Sequence, residues 1–207
     1  MMKRMSTDRL SYISNYLCFH SCEATDLGLL TGKMGMVLFF YHYAQYVDER
    51  LFTELADDLL DDIFEDINTD TSLDFSSGLS GIGWGILYLL KNRFVEGNPN
   101  EILSDIDRRL MEIYLQNVKD RSLDGLLGYI YYFYERLAVN ETITEYDTTY
   151  IEMIRQTVIR LGIPSKFDLF QFLKQLPSIK EEPELKCHTL ELGLNGVAGW
   201  GLKQILL

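Results

Sequence analysis

Cysteine is scarce in this chain, with three in 207 residues. An odd, small number cannot build a disulfide framework and points to a reducing compartment. Positive charge is scarce too: 19 Lys and Arg stand against 31 Asp and Glu, a formal net charge of −12. Nucleic acid and anionic membrane surfaces both need a basic footprint, so neither fits as a partner, whereas a basic peptide does. Long apolar runs are missing. Met34 to Phe40 and Ile82 to Leu90 are the longest, and both are too short to cross a bilayer. Met1 to Arg9 is polar and basic, and the stretch after it is broken by Ser11, Ser14 and Asn15, so no secretory signal is visible. A cytoplasmic protein is expected. No segment keeps the period-two alternation of a strand.

What the chain has instead is glycine at the openings of apolar segments. Ser77-Gly78-Leu79-Ser80-Gly81 leads into Ile82 to Leu89, with Gly78, Gly81 and Gly85 on nearly one helical face. A helical glycine costs about 1 kcal/mol relative to alanine, so three in a row imply close backbone approach. The pattern recurs as Thr31-Gly32-Lys33-Met34-Gly35, Asp124-Gly125-Leu126-Leu127-Gly128 and Asn195-Gly196-Val197-Ala198-Gly199. The first glycines at 32, 78, 125 and 196 are spaced by 46, 47 and 71 residues. That is an internal repeat with an insertion, about 163–190, in its last interval. Thr31, Ser77, Asp124 and Asn195 each precede a first glycine and are all strong helix-capping types, so each is expected to cap its own helix.

Between these starts lie amphipathic helices. A leading helix is expected over Asp8 to His20. Asp48 is expected to cap a helix to Ile67 that buries Phe52, Leu55, Leu59, Ile63 and Ile67. Its other face carries Glu54, Asp57, Asp58, Asp61, Asp62, Glu65 and Asp66 into water. Asn98-Pro99-Asn100-Glu101 is a helix start, with Asn98 as cap and Pro99 at the first position, leading to a helix that buries Ile102, Ile106, Leu110, Ile113 and Tyr114. Asp147 caps a further helix that stops at Gly162, and Phe167 to Leu176 forms a short one ended by Pro177. Apolar helices alternating with acid-faced ones call for two layers, with the apolar helices inside. The length sets one domain, residues 1–207, all-α, an arc or ring of helical hairpins whose inner helices start at one rim.

These repeats resemble those of lanthionine synthetase C-like (LanC-like) proteins, which are α/α toroids with glycine-started inner helices. The resemblance runs from about Leu27 to Leu207, and the chain carries roughly half the repeats of a full-length member. It implies a role in peptide modification. Family members that are cyclases hold Zn²⁺ through two cysteines and a histidine, placed two and one positions before a repeat's first glycine. That metal turns a peptide cysteine into a thiolate that adds to a dehydrated Ser or Thr. Here those positions are Leu30/Thr31, Ser76/Ser77, Leu123/Asp124 and Leu194/Asn195. None is a zinc-type pair, so no cofactor is expected.

The remaining candidates are few. Cys187-His188, at the end of the insertion, together with Cys18 and Cys22, would make a metal set only if the two segments met, and Zn²⁺ enters only under that alternative. His42 lies on an apolar inner helix and reads as a core or rim histidine. The rim itself is the leading binding candidate. Thr31, Ser76, Ser77, Asp124 and Asn195, with Trp84 and Trp200, surround four helix N-termini whose partial positive charge suits a carboxylate, a phosphate or a peptide backbone. Asp124 is the candidate general base, without a partner carboxylate at defined spacing. The expected function is peptide binding by a LanC-like protein that is not a zinc cyclase. The alternatives are a cyclase with a non-standard metal site and a helical scaffold, including a homodimer that completes a ring.

Overall fold

The computed structural model describes residues 2–113, 118–139, 148–162, 166–177 and 191–207, with side chains from Arg9 in the first helix and from Thr149 in the eighth. Every regular element among the described residues is a helix: α1 Met2–Ser21, α2 Lys33–Val47, α3 Arg50–Asp66, α4 Leu79–Lys91, α5 Pro99–Ile102, α6 Ser104–Met111, α7 Gly128–Val139, α8 Thr148–Leu161, α9 Leu169–Gln175 and α10 Val197–Leu206. The fold is all-α, as the missing period-two segments predict. Two compact units divide it, one made of Met1–Thr69 with Asp168–Leu207, the other of Asp70–Phe167.

In the first unit the hairpin α2–α3 shows the two-layer logic. α2 buries Lys33 through Tyr41 without a break, whereas α3 buries only Ala56, Leu59, Leu60 and Ile63. The acids expected in water are exposed, and three of them also take partners: Lys33 Nζ reaches Asp62 at 3.0 Å and Asp66 at 3.5 Å, and the Tyr41 hydroxyl donates to Asp57. Asp48 does not cap α3. It ends α2 in the left-handed conformation (φ 58°), a position that short polar residues tolerate, and Glu49 takes the cap of α3. α10 packs on α2, α1 and α9. Gly201 makes this possible, because a Cβ there would lie 2.3 Å from the Phe39 ring and 3.1 Å from Ile13.

In the second unit α4 packs on α7 and α6, and Gly83 admits the ring of Tyr132 where a Cβ would stand 2.4 Å away. Asp107, on α6, accepts from Arg136 Nε at 3.1 Å and from the Tyr132 hydroxyl, while Arg136 also donates to Asn100 at 2.6 Å. All but Asn100 are buried, so α5, α6 and α7 share one enclosed polar knot. The expected helix from Asn98 forms, with Asn98 capping Asn100 N–H at 3.1 Å, but it breaks at Leu103 into α5 and α6. Tyr114 and Asp147 lie outside the described residues. α8 ends as expected at Gly162, which is left-handed (φ 60°). In the first unit, Asp168 caps α9 through Gln171 N–H at 3.0 Å.

Candidate functional site

All four glycine starts share one backbone construction. The first glycine is non-helical at all four starts: φ/ψ is −136°/−150° at Gly32 and −118°/−168° at Gly78, both extended, and −115°/−131° at Gly125 and −127°/−126° at Gly196. The next residue's N–H then donates to a carbonyl five or six residues before the glycine: Lys33 to Asp26 at 2.8 Å, Leu79 to Ser72 at 2.8 Å, Leu126 to Asp120 at 3.0 Å and Val197 to Glu191 at 3.0 Å. That same carbonyl oxygen fills the space of a Cβ on the first glycine, at 2.0, 2.4, 2.5 and 1.9 Å respectively. The loop before each helix thus straps over its opening. One of the orphan N–H groups that every helix start leaves is consumed there.

Three strap residues add a second turn of the same kind. Asp26 Oδ1 accepts from Gly28 N–H at 2.7 Å, Ser72 Oγ from Asp74 N–H at 3.4 Å, and Asp120 Oδ1 from Ser122 N–H at 2.8 Å. These are the local side-chain turns that short polar residues favour. The strap explains why the residues before the first glycines do not cap their helices. The glycine itself occupies the cap position at 32, 78 and 196, with no side-chain cap bond. At the third start a wide turn, Leu123–Leu127, precedes the regular helix, which begins at Gly128.

The expected rim residues sit in two places. In the first unit, Asn195 N–H donates to Leu30 O at 2.8 Å and Leu194 N–H to Leu29 O at 3.1 Å, and Gly193 lies against Thr31, whose nitrogen is 2.6 Å from where a Cβ would stand. Thr31 and Asn195 are therefore brought together by backbone contact. In the second unit, Asp124 Oδ1 accepts the N–H of Ser76 at 2.8 Å, joining the third start to the second. Ser77 gives its N–H (2.7 Å) and hydroxyl (3.1 Å) to Asp74.

The second unit's rim is acidic. Tyr129 has its phenol pushed up by burial and then by the negative field of Asp74, Asp120 and Asp124. Asp120 is held below the usual carboxylate range by the Ser122 N–H and hydroxyl. Carboxylates at helix starts are what the dipole favours. They also offset the positive ends expected to attract an anion, so a cationic group suits this rim better. Asp74 and Asp120 are site residues that the glycine motifs do not include. The acidic residue five or six before three of the four first glycines (Asp26, Asp120, Glu191) was the signal that pointed to the strap.

Trp84 is 3% exposed, stacked on Tyr88 at 5.5 Å and edge-on to Phe167 at 5.0 Å. Its ring serves packing in this structure. Trp200 is half-buried. His42, on α2, has its imidazole pulled down to about 4 by burial, so it is neutral at physiological pH. Cys18 is half-buried with its thiol pushed up by burial, and Cys22 is exposed. Cys187 and His188 lie outside the described residues. Among the described residues no three His, Cys, Asp or Glu side chains gather as a metal site would need. The positions that hold zinc in cyclases carry no thiol or imidazole: Leu30 and Leu194 are core residues, and Ser76 and Asp124 bond each other. That donor set does not fit the ion.

The described fold is thus all-α, built of helical hairpins whose apolar members open on strapped glycines. Residues 23–191 match the family of lanthionine synthetase C-like proteins, and the chain belongs to that family. The match stops before Gly196, whose strap nevertheless repeats the geometry of the other three. No curated protein matches the chain. No described helix is long and apolar enough to cross a membrane.

Proposed function

We propose that this chain, acting as one LanC-like domain in the cytoplasm, binds a basic peptide segment at its glycine rims in lanthionine- or thioether-type peptide modification, without itself performing zinc-dependent cyclisation. Family membership supports the peptide. The observation that carries the rest is the residue pair before each first glycine, where leucine, serine, threonine, aspartate and asparagine replace the thiolates and imidazole a cyclase needs. The acidic surround of Tyr129 supports a Lys- or Arg-bearing segment, and Asp124, exposed beside it, is a binding residue in this reading rather than a general base.

Titrating the full chain with a peptide that bears Cys, dehydrated Ser and a lysine-rich stretch tests it. Binding is expected to weaken with added salt, with replacement of the lysines by glutamate, and with Asp124→Asn. The free-thiol count is expected to stay unchanged with or without Zn²⁺. Metal-dependent loss of the thiol, at one equivalent of bound zinc, would replace this reading by a cyclase with a non-standard site.

A further inference from the structure

The ends of α4 and α7 remote from their glycine starts enclose a second feature. A cleft of about 620 Å³ falls within the size range of small-ligand sites. Its apolar walls are Leu90, Val95, Pro99 and Val139. Among the described residues, three charged side chains also line it. Lys91 is already spent, its ammonium bonded to the buried carboxylate of Glu135. Arg93 and Glu96 are not spent: they are three residues apart, opposite in sign and exposed, and neither takes an ion-pair partner among the described residues.

Arg93 is fixed from below. α4 ends with Phe94 N–H donating to Leu89 O at 3.0 Å, a closure that sets Arg93 left-handed at φ 58°. Glycine or asparagine usually fills that position, since a longer side chain meets a steric cost there. A guanidinium is thus presented where the backbone would accept a smaller residue more readily.

We propose that this cleft binds a short apolar peptide with free termini, its carboxylate on Arg93, its ammonium on Glu96 and its side chains on the apolar walls. A ligand of single charge pairs with only one of these two exposed groups, whereas a zwitterion gives both a partner. The volume accommodates roughly two or three residues. The site is independent of the glycine rims, so it stands or falls separately from the peptide-binding reading above.

The test titrates the full chain with trileucine, its N-acetyl form and its C-terminal amide, followed by NMR shifts or calorimetry. Amidation and acetylation are each expected to weaken binding by about 5- to 10-fold, the scale of one partly exposed charge-assisted contact. In Arg93→Asn, which the left-handed backbone accepts, amidation should change nothing further. In Glu96→Gln, acetylation should change nothing further. Asp124→Asn should leave all three affinities as they are. Absence of trileucine binding, or an amidation effect that survives Arg93→Asn in a protein of unchanged thermal stability, would overturn the proposal.

Discussion

Asn195 donates its backbone N–H to the carbonyl of Leu30 across 2.8 Å, and this bond joins the last glycine start to the first. The approach is possible because both sides are bare. A Cβ on Gly193 would stand 2.6 Å from the Leu30 oxygen, and one on Gly35 would stand 2.7 Å from Gly193 Cα. At this seam the first and fourth glycine starts of the one chain meet.

Glycine substitutions should therefore separate by what they meet. Gly193→Ala and Gly196→Ala push a methyl into backbone, the latter at 1.9 Å from Glu191 O. Each is expected to cost about 3 kcal/mol or more, since backbone must shift and a buried hydrogen bond is lost. Gly162→Ala meets nothing within 4 Å and bears only its left-handed φ of 60°, for a loss of about 1 kcal/mol. Urea denaturation of the three variants measures this. Equal losses would remove the strap and seam as the reason for glycine.

The knot at Asp107 should dominate the second unit's polar energetics. Asp107→Ala leaves Arg136, itself 2% exposed, as a buried cation without its carboxylate. The expected loss is about 3–5 kcal/mol. Replacing Asp107 and Arg136 together by leucine and methionine should recover much of that, because both charges of the knot are then gone. A double-mutant cycle in denaturant reads the coupling, and additive losses would contradict the knot.

Acid should destabilise the first unit through His42. Burial lowers its folded pKa from the ordinary value of 6.5 to about 4, so the unfolded chain binds a proton that the folded chain resists. The contribution is complete above pH 6.5 and is lost progressively as pH falls towards 4. It amounts to roughly 3 kcal/mol at 1.36 kcal/mol per unit. His42→Gln should flatten stability across that window, measured by thermal melts from pH 7 to pH 4. A slope unchanged by the substitution would assign the acid response to other groups.

Much of the architecture was legible because helix periodicity and glycine placement are local. The run Met34 to Phe40 announces an inner helix, Asn98-Pro99 announces a helix start, and Gly162 announces an end, each through chemistry within a few residues. The capping roles of Thr31, Ser77, Asp124 and Asn195 were misread for a related reason. Capping preference is also local, but here a carbonyl five or six residues back reaches the helix opening first and moves the cap onto glycine. Asp48 and Glu49 exchanged roles at the next boundary because the chain needed a left-handed residue to leave α2.

The sequence by itself determined the all-helical class, the family, the repeat and the lack of zinc ligands at the repeat starts, since all of these follow from spacing and side-chain type. Tertiary structure alone decided that Leu30 meets Asn195, that Asp124 bonds Ser76, that Asp74, Asp120 and Asp124 surround Tyr129, and that Val139 lines one cleft with Leu90 and Val95. Those pairings depend on packing between elements far apart in the chain, where hydrogen bonds and burial select one arrangement among many that the same local pattern permits.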